Sequence, residues 1–222
     1  MPQGNQHETR YVLDLFSGLG GFSQAFAESE RWEVTTVEID PEFDPDRVAD
    51  VFDLRPSDFE TDFDVILASP PCTVFSPMAH RWETHFQSDG TPLTDRGSES
   101  VALAYHTLGL IKSLAPAYWF IENPRGRLRS VIGQPQATVD YCAYDHYTKK
   151  PTDLWGRHPP MTYRRCDHDT HTDENGVTDM ERGPSDASER AKVPYELSKA
   201  IRDACLAAVN NEVPEQSTLP SP

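Results

Sequence analysis

The chain has 222 residues, enough for one domain with a substantial core but too few for two independent domains of ordinary size. No apolar stretch is long enough to cross a bilayer and no charged-then-apolar leader opens the chain, so we expect a soluble cytoplasmic protein without membrane partners. Four cysteines without repeated spacing argue against a disulfide framework and for reduced thiols.

The net charge of −16 is unevenly distributed along the chain. Residues 125–165 carry eight Lys and Arg against three Asp, a local balance of +5. A basic segment in an acidic protein favours a face that meets phosphate, and the alternative is a chance cluster on a solvated face. The acidic remainder is typical of a surface adapted to high salt, so we expect a cytoplasm of high ionic strength.

Short apolar runs alternate with helix-like segments, which predicts an α/β fold with a mostly parallel sheet covered by helices on both faces. The predicted strands, in chain order, are Tyr11–Leu15, Val34–Ile39, Arg47–Val51, Phe63–Ala68, Tyr118–Glu122 and Val139–Tyr144. Apolar residues at helical spacing predict a helix at Glu99–Leu114, which Pro116 ends, and a last helix from Pro194 to about Val209. Residues 210–222 are predicted to form a disordered tail.

A glycine-rich turn, Asp14-Leu-Phe-Ser-Gly-Leu-Gly-Gly21, lies between the first strand and a helix. Glycines there let the backbone approach a ligand and expose the amides of a helix start. Glu38 ends the second strand, seventeen residues after Gly21, where an acidic residue commonly accepts hydrogen bonds from a ribose. Asp50 ends the third strand and is a candidate partner for an exocyclic amine. For each carboxylate the alternative is an exposed surface charge.

The turn departs from the dinucleotide-binding pattern. Ser23 stands at the third small position, and no second pyrophosphate-binding feature follows. A cofactor with an adenosine and no pyrophosphate is therefore favoured, and S-adenosylmethionine has both properties.

Two further motifs follow predicted strands. Cys72 leaves the strand that ends at Ala68 through Pro70 and Pro71, which restrict the backbone and hold the thiol at the carboxyl edge of the sheet. We interpret this thiol as a nucleophile, and the alternative is a small buried hydrophobic residue. Glu122 ends the fifth strand, where a buried carboxyl either hydrogen-bonds a ring nitrogen or is a structural residue satisfied by backbone.

Together these motifs resemble those of the DNA (cytosine-5) methyltransferase family. DLFSGLGGF at 14–22, VEID at 37–40, SPPCTVFS at 69–76 and IENP at 121–124 stand in the family's order. The resemblance implies a Rossmann-like, S-adenosylmethionine-dependent methyltransferase fold. It implies that the cofactor is lined by Phe16, Gly18, Leu19, Gly21, Glu38, Ile39, Asp50, Val51 and Pro70.

The resemblance also implies a reaction on DNA. Cys72 adds to C6 of cytosine, Glu122 stabilises the protonated N3, and C5 then accepts the methyl group. The base must be flipped out of a duplex to be reached. The aperiodic stretch Pro77–Ser98 is long enough for a functional loop that closes over it. The candidate closing residues in this loop are His80, Arg81 and Trp82.

The substrate-facing residues are less well matched to the family. The candidates for binding substrate are Ser76, Asn123, Arg125, Lys149 and Lys150. The family's Gln-x-Arg-x-Arg segment is not recognisable, and Lys149 or Lys150 stands about where its positive charge is expected. Thr73 and Pro124 replace a glutamine and a valine that are usual beside the reacting groups.

The resemblance divides the chain into a polar tail at 1–10 and a methyltransferase domain at 11–209. Within the domain we expect a catalytic core at 11–130, a reduced target-facing segment at 131–190 and a helix at 193–209 that returns to the core. This leaves no room for a full target-recognition domain. Target reading is then either short and degenerate or supplied by a specificity or restriction partner.

Other functions remain open at this stage. An RNA cytosine-5 methyltransferase uses the same catalytic residues, and a non-catalytic subunit that binds S-adenosylmethionine or DNA could keep the fold. The presence of both Cys72 and Glu122 favours an enzyme, and an amino-methylating enzyme needs an aromatic residue where Cys72 stands. A zinc site is conceivable, but irregular spacing and acidic flanks favour no bound metal. Its ligands would be Cys142, Cys166, His168 and His171.

Overall fold

The computed structural model describes residues 8–76, 84–167 and 187–211. Within these ranges one sheet contains β1 Arg10–Leu15, β2 Trp32–Glu38, β3 Arg47–Val48, β4 Val65–Ala68, β5 Tyr118–Pro124, β6 Ala137–Asp140 and β7 Pro151–Arg157. The α-helices of the same ranges are α1 Gln24–Ala27, α2 Asp95–Leu114, α3 Leu128–Ile132, α4 Ala187–Ala191 and α5 Tyr195–Asn211.

The strand order in the sheet is β3-β2-β1-β4-β5-β7-β6. Strands β1 to β5 are parallel to one another, whereas β7 runs antiparallel to both β5 and β6. The predicted α/β class with a mostly parallel sheet is therefore confirmed.

Helices cover both faces of the sheet, because successive side chains of a strand point to opposite sides. Val12 and Val65 face one core, which contains residues of α5. Leu13 and Ile66 face the other core, which contains residues of α2 and α3. All four residues of β4 are buried, which explains why this strand reads as one continuous apolar run.

Helix α2 begins four residues before its predicted start. The Thr94 hydroxyl accepts a hydrogen bond from the Gly97 amide at 3.1 Å and caps the first turn at Asp95. The helix ends at Leu114 as predicted, where Ala115 adopts a left-handed conformation with φ of 51°.

Three predicted strands are shorter than expected. β4 begins at Val65, two residues later than predicted. β3 stops three residues before the predicted Val51, because the Asp50 carboxylate accepts a hydrogen bond from the Phe52 amide at 2.9 Å and starts a 3-10 turn. β6 stops at its fourth residue, because the chain continues as a 3-10 helix at Tyr141–Tyr144.

Among the described residues, one strand and two α-helices are absent from the sequence-based prediction. β7 escapes it because a proline and two lysines precede its buried residues, which hides the apolar pattern. The other two, α3 and α4, are five-residue helices without a long periodic signal. Helix α5 extends two residues beyond its predicted end, so it occupies the start of the predicted tail.

Some predictions lie outside the described residues, namely those on His80, Arg81, Trp82, His168 and His171. The described part of the predicted loop contains a bridge between Phe86 and Pro92 and the first turn of α2. Across the described ranges, every helix is too short or too polar to cross a membrane.

Candidate active site

The carboxyl ends of β1, β4 and β5 meet at one edge of the sheet, because these strands are parallel neighbours. A cavity of about 360 Å³ lies at this edge. The predicted site residues that line it are Phe16, Gly18, Leu19, Gly21, Pro70, Cys72, Glu122, Asn123 and Lys150. The structure thus brings the glycine turn, the cysteine and the glutamate to one place.

The glycine turn has a tightly wound backbone. Phe16, Gly18 and Gly20 have positive φ values of 61°, 48° and 71°, a region that glycine adopts at little cost. The Glu38 carboxylate fastens the turn to the end of β2, because it accepts hydrogen bonds from the Gly18 amide at 2.9 Å and the Ile39 amide at 2.8 Å. Glu38 therefore borders the turn without lining the cavity.

The residues predicted to hold the adenine are spread around the turn rather than gathered in the cavity. Ile39 is 60% exposed, Val51 is buried, and one oxygen of Asp50 is engaged by the Phe52 amide. Phe43, which the motifs did not single out, lines the cavity instead. Its aromatic ring lies in the short turn after β2, where the sequence carries no recognisable signal.

The turn that carries Cys72 is fixed from two sides. The Asn123 side-chain amide donates a hydrogen bond to the Pro70 carbonyl at 2.8 Å, which ties it to the end of β5. The Cys72 carbonyl accepts hydrogen bonds from the amides of Phe75 and Ser76, both at 3.0 Å. The backbone that carries the thiol is therefore tied to the sheet.

The groups around the Cys72 thiol have opposite effects on its pKa. Burial raises the pKa of Cys72, and the negative charge of Glu122 raises it further. The Lys150 ammonium acts in the opposite direction and lowers this pKa. Because the thiolate is the nucleophilic form, the charge of Lys150 favours the nucleophile.

Glu122 is buried at the end of β5 and has a side-chain partner. Its Oε1 accepts a hydrogen bond from the Tyr141 hydroxyl at 2.6 Å. The sequence left open a structural glutamate satisfied by backbone, but here a tyrosine satisfies the carboxylate. The motifs did not single out Tyr141, because it stands outside all four of them.

The other predicted substrate residues lie beyond the cavity lining. Ser76 is half-buried in the turn after Cys72, and Arg125 is exposed, with its amide donating to the Pro151 carbonyl at 2.8 Å. Lys149 accepts a hydrogen bond at its carbonyl from the Tyr141 amide at 2.8 Å. Of the two lysines proposed to supply a positive charge, Lys150 is the one that reaches the cavity.

The cavity has the chemistry that a nucleoside-bearing cofactor requires. Phe16, Leu19 and Phe43 provide apolar walls, and Glu38 provides a carboxylate beside the turn. These groups suit an adenine and a ribose, whereas a pyrophosphate would meet the negative charge of Glu38. The residues therefore fit S-adenosylmethionine.

A model of the C-5 cytosine-specific DNA methylase family matches residues 11–131, more than half of the chain. The chain belongs to this family. The family and the enzyme class predicted from the motifs are thereby confirmed.

A viral member of this C-5 cytosine-specific methylase family is similar along most of its length. The "Probable DNA (cytosine-5)-methyltransferase" of Frog virus 3 (isolate Goorha) is 32% identical over 187 residues, which cover 78% of this chain and 80% of the viral protein.

Two solved structures were also compared with this methylase chain. Methyltransferase EhMeth of Entamoeba histolytica shares 14% identity with a TM-score of 0.50, over 73% of this chain and 58% of its own. A chain encoded within an E. coli prophage shares 20% identity with a TM-score of 0.47, over 67% of this chain and 46% of its own. This chain thus spans about half the length of these two, and the first likeness supports the fold alone.

Much of the basic segment at 125–165 is engaged inside this methylase. Arg129 forms a bidentate ion pair with the buried Asp153 at 2.5 and 2.6 Å, and Arg165 pairs with the buried Asp140 at 2.6 Å. Arg157 donates to a backbone carbonyl. Fewer basic residues of this segment therefore remain as candidates for contact with phosphate, since these three arginines bind groups of the protein itself.

Asp14, the first residue of the glycine motif, is a buried carboxyl beneath the turn. Its Oδ2 accepts a hydrogen bond from the Ser23 hydroxyl at 2.5 Å, while Oδ1 has no partner among the described residues. Burial raises the pKa of Asp14 to about 7, and the charge of Glu38 acts in the same direction. The motif contained this residue, but the sequence could not show its burial.

The cysteines of the conceivable zinc site lie side by side. Burial is the main cause that raises the pKa of Cys142 to about 12, and a hydrogen bond with Cys166 is the second. No group of three or more potential metal ligands occurs within residues 8–76, 84–167 and 187–211. The two histidines of this prediction lie outside those ranges, so it stays untested.

Proposed function

We propose that the chain is an S-adenosylmethionine-dependent DNA methyltransferase that modifies C5 of cytosine through a covalent Cys72 adduct at C6. The observation that carries the proposal is the shared cavity, in which Cys72 and Glu122 lie beside the glycine turn. Family membership supports the same reaction.

Each group of the cavity has a chemical task in this proposal. C5 of cytosine is a weak nucleophile, so the Cys72 thiolate first forms a bond to C6 and moves the electron pair of the C5–C6 double bond toward C5. Glu122 stabilises this electron shift by giving a proton to N3. Lys150 favours the thiolate that begins the sequence, since its charge lowers the Cys72 pKa.

The cofactor, when bound on the glycine turn, supplies a methyl group carried on a sulfonium. Once C5 has gained that methyl, its proton is lost to solvent and the bond between C6 and Cys72 breaks. N3 returns its proton to Glu122. The side chains therefore end as they began, ready for another turnover.

The substrate must reach this cavity as an extruded base. C6, N3 and C5 lie inside the stack of a duplex, and flipping costs about a few kcal/mol. We propose that Ser76, Asn123, Arg125 and Lys149 border the entry of the nucleotide. Arg125 is exposed next to β5, where it can meet a phosphate of the strand.

In this proposal, target choice depends on the segment at 131–190. In the described part of the segment at 131–190, β6 and β7 complete the sheet, and the start of α4 brings Ser188 to the cavity lining. We propose that this segment reads a short, degenerate target or works with a specificity or restriction partner. A cytoplasm of high salt remains the predicted location.

The experiment that tests the function measures methyl transfer to matched nucleic acids. Tritiated S-adenosylmethionine is offered with duplex DNA and with RNA of the same sequence, and the nucleosides released by digestion are separated. We expect labelled 5-methyldeoxycytidine from DNA. Labelled 5-methylcytidine from RNA alone would favour the RNA enzyme, and cofactor binding without transfer to either would favour a non-catalytic subunit.

A further inference from the structure

Tyr141 is the side-chain partner of Glu122. The phenol oxygen lies 2.6 Å from Glu122 Oε1, and the two side chains are 0% and 4% exposed. A buried carboxylate is stable only with such a donor, and a bond to a charged acceptor is stronger than one between neutral groups.

The ring of Tyr141 is held by its surroundings. Lys150 Nζ lies 4.5 Å from the ring centroid, and His146 packs edge-on against the ring at 5.4 Å. The Lys150 ammonium also donates to the Ala191 carbonyl at 3.2 Å, which anchors the cation above the ring. The Tyr141 ring is therefore placed by contacts with Lys150, just before β7, and with His146.

The Tyr141 hydroxyl is the donor in its hydrogen bond with Glu122. Burial is the main cause that raises the pKa of Tyr141 well above the usual value for a phenol, and the negative charge of Glu122 is the second. The hydroxyl thus keeps its proton at neutral pH, and Glu122 Oε1 stays engaged.

We propose that Tyr141 is a positioning residue for the methyl transfer: its hydroxyl fixes Glu122 Oε1, so that Oε2 is presented to N3 of the flipped cytosine. This inference rests on the proposed function. Without the hydroxyl, the carboxyl group of Glu122 rotates about its last bond, and N3 meets a proton donor whose direction varies. Loss of the hydroxyl therefore slows the addition of Cys72 to C6 and leaves cofactor binding unchanged.

The test compares Tyr141→Phe with Tyr144→Phe. Tyr144 lies in the same 3-10 turn, is equally buried, and loses a hydroxyl that accepts from the Arg164 amide at 2.9 Å, away from Glu122. The assay is release of tritium from C5 of labelled cytosine in DNA, without cofactor, because addition at C6 labilises that hydrogen. Loss of one charge-assisted hydrogen bond predicts about a 10- to 100-fold slower release for Tyr141→Phe.

Three companion measurements make the comparison specific. We expect kcat to fall in Tyr141→Phe while KM for DNA and the affinity for S-adenosylmethionine stay at wild-type values. Thermal unfolding reports any loss of stability in both variants. Tyr144→Phe should release tritium at the wild-type rate even where its stability falls.

Other outcomes separate the inference from the function it rests on. Wild-type release by a folded Tyr141→Phe protein would overturn the positioning role and leave the function intact. Equal losses of rate in both variants, in proportion to their loss of stability, would make Tyr141 structural and also overturn it. A wild-type protein that neither releases tritium nor methylates DNA would remove the proposed function, and the inference with it.

Discussion

The Asn123 side-chain amide donates to the Pro70 carbonyl at 2.8 Å, so the end of β5 holds the turn that carries the nucleophilic cysteine. The two residues are fifty-three positions apart in the chain, and both line the cavity. The strand that presents the proposed acid therefore also sets the place of the thiol.

Replacing Asn123 by Ala should loosen this turn. The Pro70 carbonyl loses its side-chain donor in a buried place, which costs about 1 to 3 kcal/mol and lowers the melting temperature by several degrees. Methyl transfer should fall more than stability alone explains. Asn210→Ala is the control, because Asn210 is exposed on α5 and should change neither quantity. Wild-type transfer by Asn123→Ala would contradict this positioning.

The charge of Lys150 should be visible in the reactivity of Cys72. Lys150→Met removes the cation that lowers the pKa of Cys72, so thiol alkylation should need a higher pH than in the wild type. Peptide mass spectrometry after a short iodoacetamide pulse at several pH values reports Cys72 separately from the other cysteines. Lys199→Met on α5 serves as the control. An unchanged pH profile in Lys150→Met would show that the ammonium does not act on the thiol.

Asp14 should make the folded protein less stable as the pH rises. Its folded pKa of about 7 lies above the unfolded value of 3.8, so the folded chain retains a proton that the unfolded chain releases between these values. The stability that the bound proton of Asp14 gives to the folded state is complete below about pH 4 and is lost as the pH rises through about 7. Relative to Asp14→Asn, the unfolding free energy should fall by about 4 kcal/mol across this window. Denaturant titrations of both proteins measure it, and a pH-independent difference would exclude the effect.

Gly21 should tolerate no side chain. A Cβ at this position would lie 2.8 Å from the Val193 carbonyl oxygen and 2.9 Å from its nitrogen, so Gly21→Ala must push the segment before α5 away from the cavity. We expect weaker S-adenosylmethionine binding, measured by calorimetry, and a lower melting temperature. Gly109→Ala is the matched control, because nothing lies within 4 Å of its added Cβ and alanine favours the α2 helix by about 1 kcal/mol. Equal cofactor affinity in both variants would argue against this close approach.

The strands that carry the site could be predicted because their sequences are locally decisive. Val65–Ala68 is wholly apolar and short, and a proline pair follows it, so both the strand and its exit are visible without any tertiary information. The glycine turn and Glu122 are likewise marked by their neighbours. Their meeting at one sheet edge then follows from the parallel order of β1, β4 and β5.

The parts that escaped prediction depend on contacts distant in sequence. Tyr141 stands in an ordinary apolar run, and only the packing of β6 beside β7 brings its hydroxyl to Glu122. Arg129 has the charge of a phosphate ligand, but it forms an ion pair with the buried Asp153. The sequence shows that the charge is present, but it does not show which residue pairs with it.

The covalent step is tested most directly with DNA in which the target cytosine carries fluorine at C5. Fluorine cannot leave as a proton does, so the methylated adduct is trapped. With S-adenosylmethionine present, the wild-type protein should form a complex that survives denaturation and whose cross-linked peptide contains Cys72. Cys142→Ser should form it equally, and Cys72→Ser should form none. A folded, cofactor-binding wild-type protein that traps no DNA, or a Cys72→Ser variant that traps it as the wild type does, would contradict the account.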